Sequence, residues 1–537
     1  MRDRWGLIQR GLFPETLPPC YTSVDLKRAF SGLVRSLKTK ELHQRRQSDY
    51  VRYNGTKHDG SRRYFGTPNP ISYFYVASFI ADHWVEFEAR FNSSPFSVSM
   101  PKVGKPTDDR PVIIPSLSEL TTIASKKLGR SAFILKTDIA QFFPSIYTHA
   151  IAWSAHGVDL AKADTKIDSA TNYFNKLDFF VRNCQLAETR GVLVGPDAFR
   201  LVSEYIAAGL DSEIFAGTGG HIIGAARHVD DYYIGLGDEI AALATLSVRR
   251  DKVQRFNLHI NDAKTKTMLG TEPLNDIWAQ SLRKESREVG GYLRKTDDII
   301  LFFDRSLDLA KQLHTDSPIK IALRTMDKIK LYNHSDWDIV EPYLQRALFH
   351  HSHSIDYIAL LVAKRVAIDK QIDREGWKSA AHELIARHLP LNHHHEVVWL
   401  VWMLLVSGLG LSDKLVDALS QNDNAHIQAL VVAAYLEGHI ARRPPIRLGG
   451  RLATTDDRWL LNLVGKARGY SSAAFSGALA GEFQHLADKH VKLIDFKAHM
   501  KSMQQRNVQA ISRTRYGYDN DDEEEDLGDW AHWDEDD

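Results

Sequence analysis

Cysteine is nearly absent: Cys20 and Cys184 are the only two in 537 residues. Two such residues make neither a disulfide framework nor a Cys-rich zinc site. They suit a reducing cytosol. Long apolar runs are lacking as well. The most apolar stretch, Val397 to Leu411, is shorter than the ~20 residues a membrane span needs, and it reads as a buried helix. The first residues, Met-Arg-Asp-Arg-Trp, lack the apolar core of a secretory signal. These absences lead to an expectation of a cytoplasmic protein with no membrane partner. Net charge is also zero, with 68 Lys and Arg against 68 Asp and Glu. That balance hides an asymmetry. Residues 519–537 carry twelve acidic side chains and no Lys or Arg, leaving the body at 68 basic against 56 acidic. A basic body suits a polyanionic partner; a soluble domain with a solvating acidic tail explains the same numbers equally well.

The chain is long enough for two to four domains, and its 43% apolar content suffices for ordinary cores. Gly66 to Ile71 reads as a turn, leading into an amphipathic helix over 72–91. Residues 100–300 alternate short apolar strands with helices, the pattern of an α+β core. Within it, Phe133 to Leu135 forms a strand ending at Asp138. Gly224 to Leu236 reads as a hairpin that turns at His228-Val229-Asp230-Asp231. From about residue 300 the spacing becomes wholly helical: Val340, Tyr343, Leu344, Ala347 and Leu348, then Ile355, Ile358, Val362 and Val366, then Trp377, Ala381, Leu384 and Ile385. Successive helices without a repeated consensus suggest a stacked array. The expected division is 1–300, 301–515 and a disordered acidic tail over 516–537.

Adjacent carboxylates between two apolar strand segments are unusual. On a regular strand Asp230 and Asp231 would point to opposite faces, but a tight turn lets both approach one centre. Alone, such a pair is more often a solvated turn. Lys136-Thr137-Asp138-Ile139-Ala140-Gln141-Phe142-Phe143 adds a third carboxylate at a strand end. Three carboxylates are hard oxygen ligands for Mg²⁺ or Mn²⁺ and suffice for two ions ~3.5–4 Å apart, the arrangement that drives in-line phosphoryl transfer. Pro101 to Pro115 supplies Lys102, Lys105 and Arg110, cations able to clamp phosphate oxygens, Arg110 by a two-pronged contact.

In this order the motifs resemble the reverse transcriptases. A Lys/Arg segment ends Arg-Pro-x-x-x-Pro at Pro115. Then come Thr137-Asp138-Ile139 with Phe142-Phe143, Gly191 to Ser203, His228 to Asp231, and Phe256 to Thr267. The resemblance spans roughly residues 60–270. It implies a right-hand polymerase core, palm and fingers, with Asp138, Asp230 and Asp231 holding two Mg²⁺ or Mn²⁺ ions. It further implies Phe143 as the gate that rejects a ribose 2′-hydroxyl, Arg110 and Lys102 as triphosphate contacts, Gly195 as the glycine beneath the incoming nucleotide, and Lys264 as the acid that protonates the leaving pyrophosphate. His228 stands where an aromatic is usual, and Leu193 where many members have Pro. Gly195-Pro196 with Ser203-Glu204, Pro68-Asn69-Pro70 before a helix, and His395 to Trp399 resemble the bacterial abortive-infection and defence-associated branch, in which a HEAT-like helical region follows the polymerase. That likeness implies antiphage defence in the bacterial cytoplasm by DNA synthesis from dNTPs, as a homo-oligomer. Synthesis is then either protein-primed and untemplated, with DNA attached to a tyrosine, or copied from a partner noncoding RNA.

Other features are blander. His393-His394-His395 reads as a loop before a helix, since adjacent histidines diverge and no second cluster lies near in sequence. Trp399 and Trp402 read as core or interface. Tyr516 and Tyr518 lie beside the acidic tail, where they anchor the last helix or serve as a mobile primer. Two rival functions stand beside DNA synthesis: a helical scaffold carrying an inactive polymerase fold, and an RNA-dependent RNA polymerase, which the bulky Phe143 disfavours.

Overall fold

The computed structural model describes residues 4–497 except 44–45, 107, 109, 116, 275, 291–295 and 329. The acidic tail, Tyr516 and Tyr518 lie outside the described residues. Ten strands among the described residues form four sheets. β1 (Val51–Thr56) pairs with β2 (Arg62–Thr67), and β3 (Lys102–Val103) with β4 (Val112–Ile113). β5 (Phe133–Thr137), β6 (Ile222–His228), β7 (Asp231–Leu236) and β8 (Lys266–Leu269) build one antiparallel sheet in the order β6-β7-β5-β8.

Strand alternation sends side chains of this sheet to two separate cores. Ile134, Tyr233, Ala226 and Met268 join Ala124 and Leu128 of the helix Leu117–Leu128. Leu135, Tyr232, Ile234 and Ala225 face the main core. Gly224 lets the helix Leu117–Leu128 lie close, since a Cβ there would sit 2.1 Å from the Lys127 carbonyl oxygen.

Two expectations need correction. The amphipathic helix over 72–91 is two helices, Pro70–Asp82 and Trp84–Ser93, broken at His83. The first is buried from Pro70 to Ile80 on every face, because the N-terminal helix Arg4–Arg10 and the helix Asn175–Asn183 pack against it. Asn69 starts it by accepting a hydrogen bond from the Ile71 N–H at 3.0 Å, the usual capping arrangement. The region after 300 is not wholly helical either. β9 (Arg451–Ala453) and β10 (Ala474–Ser476) form a short parallel pair among its helices; three-residue strands leave too little periodicity to see in sequence.

Four helices fall where the apolar spacing put them. Trp337–His350, Ile355–Ala367 and Arg374–His388 bury their periodic residues except Tyr343 and Val366, which are half-buried, and His394–Val406 is buried almost throughout. Trp399 and Trp402 are fully buried and meet edge-to-face with centroids 5.3 Å apart. They are core, so they offer no surface for assembly.

The β1–β2 hairpin is embedded in this helical region. Tyr53 Oη lies 2.7 Å from His395 Nδ1, Thr67 Oγ1 lies 3.0 Å from His426 Nε2, and Arg62 meets both oxygens of Glu396 at 2.5 and 3.1 Å. The Trp399 indole N–H donates to the Thr16 carbonyl at 2.8 Å. One continuous apolar core runs from Leu7 to Phe496. The first 300 residues and the helices therefore share an interior.

This seam predicts acid lability. Burial holds His394 and His395 down to about 4 and His426 to about 3, while Arg62 lowers Glu396 to about 2 against its desolvation. A folded-state histidine value below the free imidazole's 6.5 means that protons favour the unfolded chain. The histidine contribution is complete above pH 6.5 and is lost as pH falls from 6.5 towards 4. Each histidine then costs about 1.4 kcal/mol per pH unit over that window. Urea midpoints measured at pH 7.5, 6 and 5 should fall steeply; equal midpoints across that range would contradict the assignment.

Candidate active site

The antiparallel register fixes where the carboxylates fall. Thr137 pairs with Tyr232 and His228 with Asp231, so the next position after β5, Asp138, lies across from Asp231. Asp230 and Asp231 sit at the β6–β7 turn and are half-buried. The turn depends on Val229, whose φ of 54° is left-handed. A β-branched residue there is strained by about 1–3 kcal/mol.

Asp138 is 2% exposed. Its backbone carbonyl accepts from the Asn261 N–H at 3.1 Å, and Ala140 N–H donates to the His259 carbonyl at 2.8 Å, so the segment after β5 is stitched to the segment before β8. Its Oδ2 lies 3.4 Å from Lys264 Nζ and 3.5 Å from Asn261 Nδ2. Its Oδ1 is buried with no hydrogen-bond partner. Burial pushes the Asp138 carboxyl above its ordinary value, and Lys264 and Arg249 oppose the shift. Arg249, fully buried behind the strand, donates to Thr137 Oγ1 at 2.7 Å and lies 4.2 Å from the Tyr232 ring centre. An orphaned, buried carboxylate oxygen beside an Asp pair is a donor set of the kind a hard divalent cation completes.

The structure brings Asp138, Asp230, Asp231 and Lys264 to one edge of the sheet. Three of the expected substrate contacts, Phe143, Arg110 and Gly195, meet at the loop 191–196. The Val192 N–H donates to the Phe143 carbonyl at 2.9 Å, and Arg110 Nη2 donates to the Gly195 carbonyl at 3.1 Å. Phe143 follows buried Phe142 in the one-turn helix Phe142–Ser145 and is itself half-buried. Lys102 stands exposed on β3. His228 Nε2 lies 3.4 Å from the Pro115 carbonyl oxygen, tying this segment to the sheet.

Arg110 and Gly195 differ from the expectation in their immediate partners. The Arg110 guanidinium faces inward. It donates to the Phe13 carbonyl at 2.9 Å and to Asp197 Oδ1 at 2.7 Å. Gly195 has a φ of 113°, and a Cβ on it would sit 2.7 Å from Pro14. The N-terminal segment thus occupies the neighbourhood of both. The backbone freedom of Gly195 serves an intramolecular contact.

The sequence reading missed the support beneath the turn. Arg227 is fully buried between Glu204 and Asp211, which lie two helical turns apart on one face of the helix Asp197–Gly217. That spacing of two acids within an apolar helix was the available signal. The histidine run also gains a neighbour unseen in sequence: His388, His393 and Glu396 bring ligand-type atoms within 4.8 Å of one another. There, however, the two imidazole Nδ1 atoms pair with each other at 2.9 Å, and Arg62 already neutralises Glu396. Each group has a protein partner, so no ion is required. No helix among the described residues is long and apolar enough to cross a membrane.

No protein-family model matches the sequence, and no curated protein does. Among solved structures, the chain is similar to apo telomerase from Candida tropicalis, with a TM-score of 0.31 and 10% identity over 72% of this chain and 70% of that one. It is also similar to telomerase from Candida albicans in complex with a TWJ fragment of telomeric RNA, with a TM-score of 0.30 and 8% identity over 78% of this chain and 68% of that one. Likeness at these scores carries no argument, so the functional reading rests on the geometry of the carboxylates.

Proposed function

We propose that the chain is a nucleotide polymerase of reverse-transcriptase type that joins dNTPs into DNA. The observation that carries this reading is the register placing buried Asp138 across from the Asp230-Asp231 turn. Asp138, Asp230 and Asp231 are the residues to hold Mg²⁺ or Mn²⁺, and the orphaned Oδ1 of Asp138 fits that role. Two such ions, when bound, lower the pKa of an attacking hydroxyl and offset charge on the triphosphate. The chain's own residues do the rest. Asn261 and the Arg249–Thr137 pair orient the Asp138 strand end. Lys264, 3.4 Å from Asp138, would hold a proton for the leaving pyrophosphate. Lys102 supplies an exposed cation for phosphate.

Sugar choice follows from Phe143. Phe143→Ala should lower discrimination against ribonucleotides by about one to two orders of magnitude. Single-nucleotide incorporation with dNTPs and NTPs checks this, and unchanged discrimination would put the gate elsewhere.

Priming has two routes in this reading, a tyrosine of the protein or a partner noncoding RNA. Tyr232 and Tyr233, nearest the carboxylates in sequence, are buried in the sheet and poorly placed to attack. A protein primer would therefore be another tyrosine, with Tyr516 and Tyr518 as candidates. A role in bacterial antiphage defence and homo-oligomeric assembly belong to the same proposal and rest on the motif resemblance. Labelled dNTPs, followed by denaturing electrophoresis with a nuclease control, test the polymerase and the primer together. Label retained on the protein supports a tyrosine primer, and free label a nucleic-acid primer. No incorporation at all would favour the inactive scaffold. Light scattering at micromolar concentration tests the oligomer.

A further inference from the structure

The Val229 peptide is gripped from both sides. Its carbonyl accepts from Arg227 Nη1 at 2.7 Å, and its N–H donates to Ser99 Oγ at 2.9 Å. Both grips hang on one carboxylate. Ser99 Oγ donates to Glu204 Oε2 at 3.4 Å, while Arg227 reaches Glu204 Oε2 at 3.0 Å and Oε1 at 2.7 Å. Arg227 Nε is shared between the two oxygens of Asp211 at 3.0 and 2.8 Å. Ser97 braces Glu204 at 2.7 Å and Ser94 braces Asp211 at 2.6 Å. Ser99 and Arg227 are fully buried, as is Asp211, and Glu204 is 6% exposed.

Burying two acids with one arginine is a poor way to gain stability, since apolar side chains of the same volume often do as well. The arrangement has another use. Val229 is held in a left-handed conformation that a β-branched residue resists, and the next two residues are the paired carboxylates. Without the grips the backbone would relax towards φ below zero and rotate Asp230 and Asp231 out of register with Asp138. We infer that Ser99, Arg227, Glu204 and Asp211 are positioning residues: a buried clamp that locks Val229 and thereby aims the Asp230-Asp231 pair at a shared divalent cation. This deepens the polymerase reading and rests on it for the identity of the cation ligands.

The test uses the full-length protein and Mn²⁺ as the probe, read by electron paramagnetic resonance without nucleotide. Ser99→Ala removes one grip at the cost of a single hydroxyl, and Glu204→Gln weakens both. Each should weaken Mn²⁺ binding by about 10-fold or more, the usual size of an effect one step behind the ligands. The half-saturating Mg²⁺ in incorporation assays should rise in step, while kcat at saturating Mg²⁺ recovers most of its value. Amide exchange at Val229 should accelerate at least about tenfold in Ser99→Ala. Unchanged Mn²⁺ affinity and unchanged exchange at Val229, with only a lowered melting temperature, would overturn the clamp. If Glu204→Gln fails to fold, Ser99→Ala decides alone. A wild type that binds Mn²⁺ but incorporates nothing sinks the polymerase reading and leaves the clamp intact. A wild type that binds no Mn²⁺ sinks the cation site, and the clamp's aim with it.

Discussion

Asp231→Ala and Asp230→Ala should each reduce nucleotide incorporation by about three orders of magnitude or more, because a lost metal ligand removes several kcal/mol of charge stabilisation from phosphoryl transfer. The fold should survive both changes, since the two side chains are half-buried at a turn. Asp138→Ala should be as damaging to activity and kinder to stability. Its Oδ1 is buried without a partner, and burial already strains its charge. Lys264 and Arg249 offset only part of that desolvation, so removing the carboxylate leaves the melting temperature equal or higher. Activity assays beside thermal melts separate these outcomes. Wild-type incorporation in any of the three variants would end the assignment, and a sharp loss of stability in Asp138→Ala would recast that residue as structural.

Arg110→Ala should destabilise the protein by about 3–5 kcal/mol, the cost of breaking a buried ion pair from one side. Asp197 is fully buried, and its remaining cation, Arg200, stands 3.7 Å away. The same substitution strips donors from the Phe13 and Gly195 carbonyls. Arg110→Lys should rescue little, because one ammonium cannot span three acceptors in different directions. Urea denaturation gives the stability, and the KM for dNTP at a temperature where both proteins are folded gives the binding. A raised KM with unchanged stability would instead restore Arg110 to the triphosphate.

The contrast between Arg110 and Asp138 explains what was legible in the sequence. Asp138 and Asp230-Asp231 announce themselves because their neighbours are apolar strand residues, so a carboxylate there is costly and stands out. The hairpin and the strand before Asp138 follow from local alternation, and the long helices after 300 from local spacing. Arg110 is also conspicuous, but its direction depends on Phe13 and Asp197, residues far away in the chain. The same holds for Arg227, whose partners lie on the preceding helix, and for β1–β2, whose partners His395, Glu396 and His426 lie beyond residue 390. A buried helix such as Pro70–Asp82 hides its own boundary, since with every face covered there is no polar side to mark it.

The embedded hairpin also sets an order of events during synthesis. Tyr53 and its partner His395 are 342 positions apart. At about 5–20 residues added per second, the ribosome needs on the order of 20–70 s to deliver that partner. Throughout that interval the hairpin lacks its partners His395, Glu396 and His426. A nascent chain ending near residue 300 should therefore recruit chaperones and resist purification as an independent polymerase. The half that carries the proposed polymerase site would complete its packing only after the helices have left the exit tunnel, and any activity would wait for them.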